Sequence, residues 1–160
     1  MPALVPRRVI SLTAVVAVAG ALCGKAQSAS LTRNEASLLR VMNSVRGATG
    51  LRPLRVDPRL ELAARAHSEK ELRLQSMFHG NFVGRIRHVG VRAPKVGENL
   101  AWGSGTLARA RAIVNLWLAS PEHRANLLYR GYRTVGVGVM RGSFQGSAGA
   151  ALITTDFAGR

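Results

Sequence analysis

The stretch Gly131-Tyr132-Arg133-Thr134-Val135-Gly136-Val137-Gly138-Val139 is where the periodicity of this 160-residue chain changes. Val135, Val137 and Val139 alternate with Gly136 and Gly138, the period of two that a strand shows. Ala148–Phe157 reads as its partner, and the Gly142–Gly146 region as the turn joining an antiparallel pair. The two glycines leave one strand face without side chains. That predicts close approach of a helix or turn rather than a slot for a ligand.

Upstream, the pattern is helical. Thr32 and Glu35 sit three apart before an apolar run, the arrangement of a capping box, and Leu38, Leu39, Val41, Met42 and Val45 follow until Gly47 and Gly50. Asp57-Pro58 opens a second helix, whose Leu60, Ala63, Ala64, His67, Glu71 and Leu74 share one face. Residues 80–97, with several glycines, a proline and scattered arginines, read as a loop. Thr106–Leu118 reads as a third helix ending at Ser120-Pro121, and Pro121–Leu128 as a short fourth. Helices first and strands last give an α+β layered fold rather than a parallel α/β one.

The length allows one domain, and an apolar fraction of 47% excludes intrinsic disorder. The 23 Lys and Arg against 8 Asp and Glu invite a polyanion, but part of that charge lies in a leader. Arg7-Arg8, the uncharged run from Val9 to Gly24, and small residues around Ala26–Ser30 have the form of a secretory signal. The run falls short of the roughly 20 residues a membrane span needs, and Leu22 before Cys23 does not suit a lipid-anchored cysteine. The expected division is a cleavable signal over 1–29 and one domain over 30–160. Losing Arg7, Arg8 and Lys25 lowers the net charge from +15 to +12 and removes the single cysteine. The exported domain, secreted to the periplasm or beyond the cell, must then stand without a disulfide.

Candidate chemistry is confined to few residues. His79, Glu98 and His123 include two imidazoles and a carboxylate, sufficient donor types for a divalent metal with an open position. Their spacings of 19 and 25 residues contain no compact ligand motif. His67 and Glu71 lie four apart on the apolar face of the second helix, and a buried carboxylate there needs a partner. His88, among Arg85, Arg87 and Arg92, is expected on the surface. Trp102 and Trp117 read as core or cleft-lining anchors.

Several segments in order resemble the bacterial branch of the CAP superfamily (cysteine-rich secretory proteins, antigen 5 and pathogenesis-related 1). Asn43-Ser44-Val45-Arg46 with Gly50-Leu51-Arg52-Pro53-Leu54 is similar to its N-x-x-R-x-x-x-G-L-x-P-L opening. Met77-Phe78-His79 is similar to its aromatic-x-His segment, with methionine at the aromatic position. Gly97-Glu98-Asn99-Leu100-Ala101 resembles its G-E-N-[LI]-A signature, and Trp117 through Leu128 its W-x-x-S-P-x-H-R-x-N-[LI]-[LM] stretch. The resemblance implies an α-β-α sandwich with a small central antiparallel sheet flanked by helices. It also implies a cleft around His79, Glu98 and His123, in which some members hold zinc or another divalent cation. Asn99, Trp117, Ser120, Glu122, His67 and Glu71 are the expected lining and support. The family's fourth residue, a glutamate after the cleft tryptophan, has Ser120 in its neighbourhood here, with Glu122 nearby.

Three functions follow as expectations. The first is an exported, non-catalytic monomer whose cleft takes a metal, a lipid or sterol, or an envelope ligand. The second is a hydrolase with metal on His79 and His123 and Glu98 as general base. The third is a module docking on an anionic cell-envelope polymer through Arg85, Arg87, Arg92 and Lys95. No aromatic residues interleave those cations, which argues against nucleic acid.

Overall fold

The computed structural model describes residues 30–160, so the expected signal segment, with Arg7, Arg8, Cys23 and Lys25, lies outside the described residues. Thr32 caps α1 (Arg33–Ala48). Its hydroxyl accepts from Glu35 N and the Glu35 carboxylate accepts from Thr32 N, the predicted reciprocal box. Asp57 caps α2 (Pro58–Leu74), with Pro58 in the first turn as expected. Leu60, Ala63, Ala64, His67 and Glu71 are buried along it, but Leu74 is 52% exposed. It is the last helical residue, and Gln75 turns the chain away in the left-handed region at φ 52°.

The segment expected as a loop over 80–97 instead contains α3 (Phe82–His88) and the start of β2 (Lys95–Gly103). α3 spans seven residues, too few to display a helical period, and is held by the Asn81 cap and buried Ile86. β2 hides because Glu98 and Asn99 are polar yet buried, which erases its apolar pattern. The expected third helix is divided into a 3-10 turn at Gly105–Ala108 and α4 (Ala110–Ala119); α5 (Pro121–Leu127) follows.

The remaining strands are β1 (Arg55–Val56), β3 (Tyr132–Phe144) and β4 (Ser147–Gly159), in the order β1-β3-β4-β2. β3–β4 and β4–β2 are antiparallel, while the two-residue β1 lies parallel to β3. Gln145 and Gly146, at φ 47° and 80°, form the tight turn whose twist suits a hairpin.

Helices cover both faces of the sheet. Val135, Val137, Ile153 and Phe157 point to α1 and α4, where Trp117 is fully buried. Gly136 and Gly138 point the other way and admit the backbone of α2. A Cβ on Gly136 would lie 2.0 Å from the Leu60 carbonyl carbon, and one on Gly138 2.4 Å from that of Ala64. The predicted close approach is that of a helix axis to a strand. Arg46 accounts for the opening N-x-x-R pattern: fully buried, it donates to the carbonyls of Arg52, Leu127, Tyr129 and Tyr132. The result is an α-β-α sandwich. No helix among the described residues is long and apolar enough to cross a membrane.

Candidate functional site

Among the described residues β2 pairs with β4 alone, leaving its other edge without a strand, and a cleft of about 420 Å³ lies against it. His79 comes to this cleft from the α2–α3 connection, Glu98 from β2, and Glu122 and His123 from α5. The three expected residues are therefore brought together, although they come from three elements.

Each imidazole is oriented by a second group. His79 Nδ1 lies 2.8 Å from Glu98 Oε1, and His123 Nδ1 lies 2.8 Å from Ser120 Oγ. Nε2 of each ring has no protein hydrogen bond among the described residues. The two rings differ in setting: the His79 side chain is 54% exposed, whereas partial burial lowers the pKa of His123, with His79 nearby adding to the effect.

Glu98 is the buried centre. Its Oε2 is held by Arg85 of α3, so both carboxylate oxygens are engaged. Directly across the ladder, in register, stands Asp156 of β4, fully buried. Two adjacent buried carboxylates cannot both ionise cheaply. Burial raises both pKa values, most strongly that of Asp156, while the Arg85 guanidinium opposes the rise at Glu98. Both carboxyls therefore hold a proton more readily than free ones, Asp156 above all. Arg85 lies 3.7 Å from Asp156 Oδ1, beyond hydrogen-bonding reach.

His67 and Glu71 act from beneath. His67 Nε2 is 2.7 Å from the Phe78 carbonyl, so that nitrogen carries the proton, and Phe78 N donates to Glu71 Oε1 at 3.0 Å. Two side chains of α2 thus hold both polar groups of one peptide residue, immediately before His79. The expected His67–Glu71 contact exists at 3.5 Å. Burial first of all lowers His67 to about 4 and raises Glu71 to about 7, so the pair rests as two neutral groups near pH 5.

The free edge is sealed by side chains from the other layer. Asn126 Nδ2 donates to the Glu98 carbonyl and to Asn99 Oδ1, Asn99 Nδ2 donates to the His123 carbonyl, and Trp117 Nε1 donates to the Leu100 carbonyl. These bonds fasten α4 and α5 to β2 and occupy edge acceptors that another strand would use. Past His79 and His123 the cleft continues into an apolar arm of about 370 Å³, walled by Met77, Phe78, Trp102 and Leu116.

Asp156, Arg85 and Asn126 were not singled out as site residues from sequence. One signal was available for Asp156: a lone acid inside the apolar run Ala150–Ala158. Arg85 was expected on a basic surface, yet it turns inward to Glu98. Glu122 lines the cleft but is exposed, and His88 is exposed as expected. Among the described residues no three His, Cys, Asp or Glu side chains are grouped so as to hold a metal ion.

The model of the cysteine-rich secretory protein family, CAP, matches residues 39–155 of this chain. The chain belongs to this family. It is 31% identical over 114 residues to the uncharacterized protein YkwD of Bacillus subtilis, covering 68% of this chain and 43% of that one. With pathogenesis-related protein 1 of Arabidopsis thaliana it shares 38% identity over 120 residues, covering 74% of this chain and 62% of the relative. This CAP chain thus spans less than two thirds of the length of either. In fold it is similar to an outer surface protein of Borrelia burgdorferi, at a TM-score of 0.70 and 20% identity, covering 82% of this chain and 96% of that one.

Proposed function

We propose that this CAP domain is an exported, non-catalytic binding protein whose cleft takes a divalent cation between His79 and His123. The observation that carries this reading is the pair of engaged Nδ1 atoms, which leaves two Nε2 atoms available in one cleft. Histidine ligands commonly have their second nitrogen fixed by a carboxylate or another polar group in this way. Glu98, with both oxygens engaged, serves as the orienting group and not as a third ligand. Water or a bound molecule completes the coordination, and the adjoining apolar arm suits the non-polar part of such a molecule. Export is supported by the leader pattern and by a fold neighbour that is an outer surface protein.

The hydrolase alternative needs Glu98 free to take a proton from a metal-bound water. Arg85 and His79 occupy it. Ser120 and His123 are in contact, yet among the described residues no carboxylate orients the far side of that imidazole, so the pair lacks the third member of a triad there.

A second groove favours a lipid-like ligand. Between α1 and α4, Val41, Ile113 and Val139 form the wall of a cavity of about 380 Å³ that Arg109, Arg111 and Arg141 also line. An acyl chain with an anionic head matches that pairing.

Titration calorimetry with zinc tests the first reading. One site is expected, weakened at least a hundredfold in the His79→Ala, His123→Ala double variant and 10- to 100-fold in Glu98→Gln. No heat at saturating zinc would sink the cation site. Metal-dependent cleavage of ester, peptide or amide substrates, lost in Glu98→Gln, would replace the binding protein with the hydrolase.

A further inference from the structure

Away from the histidine cleft, Arg52, Arg55, Arg59, Arg133 and Arg160 line a broad cleft of about 940 Å³ where β1 and β3 begin and β4 ends. The acid among its lining residues, Asp57, is bound by Arg59 at 2.8 Å. Arg52, Arg55, Arg133 and Arg160 have no carboxylate partner among the described residues. Their backbones are fixed by the sheet. Arg55 is in register with Thr134, beside Arg133, and Arg160 N donates to the Gly131 carbonyl.

A second, independent observation gives the same sign. Arg46, fully buried, donates only to carbonyl groups, two of which belong to Arg52 and Tyr132 next to this cleft. No carboxylate among the described residues pairs with it, and burial together with Arg133 lowers its pKa. Five arginines with no carboxylate partner among the described residues therefore converge on one region, and an anion bound there would relieve their mutual repulsion.

We infer that this cleft binds a phosphate-bearing cell-envelope polymer. Guanidinium forks match phosphate oxygens in two-pronged geometry, and the cleft is far larger than one phosphate needs. None of its lining residues is aromatic, so it offers no platform for a nucleobase. The basic loop at 85–95 is a weaker rival. Arg85 is spent on Glu98; Arg92 donates to the Arg87 carbonyl, as Arg133 in the larger cleft donates to those of Arg130 and Tyr132. The choice of an envelope polymer rests on the exported reading, whereas the anion site does not. The histidine substitutions leave this cleft intact, so the two proposals fail separately.

The test is binding of the full chain to purified poly(glycerol phosphate), with a 20-base-pair DNA duplex as competitor. Wild-type affinity is expected to fall roughly fiftyfold between 50 and 200 mM salt, as four phosphate contacts require. The R52Q/R55Q/R133Q/R160Q variant should lose at least tenfold at 50 mM salt and show a shallower salt dependence. The R40Q/R73Q/R87Q/R92Q variant, with equal charge removed elsewhere, should stay within threefold of wild type. Equal losses in the two variants, or no binding at 50 mM salt, would overturn the site. Tighter binding of the duplex through the same arginines would overturn the polymer. If the first variant melts early, R55E carries the test: a fivefold loss supports the site and no loss removes it.

Discussion

The two faces of the sheet are built on opposite plans. On the α1 and α4 face, Val135, Val137, Ile153, Phe157 and Trp117 form a continuous apolar cluster, and a methyl group more or less changes stability by degrees. On the α2 and α3 face, Gly136 and Gly138 bring helix backbone against strand backbone, and Glu98, Thr154, Asp156, His67, Ser68 and Glu71 are buried beside them. Ser68 Oγ lies 2.9 Å from Thr154 Oγ1, so even small hydroxyls are paired across that interface. One face stores stability. The other uses close packing and buried polar groups to aim His79 at the cleft.

The sharpest break of this comparison is Gly136→Ala against Val137→Ala. The new methyl at 136 meets backbone at 2.0 Å and cannot be accommodated by a rotamer change. It is expected to cost about 4 kcal/mol or more, or to prevent folding, whereas Val137→Ala should cost roughly 2 kcal/mol. Thermal denaturation of the pair decides it, and a cost below about 1 kcal/mol at Gly136 would refute the backbone-to-backbone contact.

Next comes Arg85→Ala, which strands Glu98 and Asp156 without a cation. A loss of about 3 kcal/mol is expected, and Arg85→Ala with Glu98→Gln should recover part of it. Denaturant unfolding measures both; an additive double variant would show that Arg85 does not act through Glu98.

A smaller effect is expected in the pH profile. His67, lowered to about 4, contributes stability that is lost as pH falls from 6.5 toward 4. Glu71, raised to about 7, contributes stability that is lost as pH rises from 4.5 toward 7. In the wild type these slopes oppose one another between pH 4.5 and 6.5. Glu71→Gln should leave the histidine slope exposed, losing up to about 1.4 kcal/mol per pH unit of acidification relative to wild type. His67→Gln should show the opposite slope. Unchanged profiles in both variants would mean that the pair does not titrate as buried groups.

Smallest of all is His79→Ala. The ring is half exposed and lies outside the core, but its loss leaves Glu98 Oε1 without that partner, so stability should fall by about 1 kcal/mol, a few degrees in melting, while zinc binding is lost. A large stability loss would move His79 from the functional to the structural side of the comparison.

Much of the fold was legible because the signals were local. The Thr32–Glu35 box, Asp57-Pro58, the turn before α5 and the alternation after Gly131 each report on neighbours within a few residues. β2 was not legible, since Glu98 and Asn99 are buried by partners 13 to 58 residues away. The candidate site shows the same division. Motif resemblance selected His79, Glu98 and His123, while Arg85 and Asp156 became visible only when α3 and β4 were folded against β2.

By itself the sequence determined an α+β layered domain and a strong excess of arginine, while resemblance to a family pointed to two histidines and a glutamate. Tertiary structure decided which arginines are buried or paired with a carboxylate and which are not. Arg85 and Arg46 are turned inward, while Arg52, Arg55, Arg133 and Arg160 meet at one end of the sheet. The physical reason is that net charge is additive along the chain. The field a partner meets depends on which charges have been paired or buried, and long-range packing sets that.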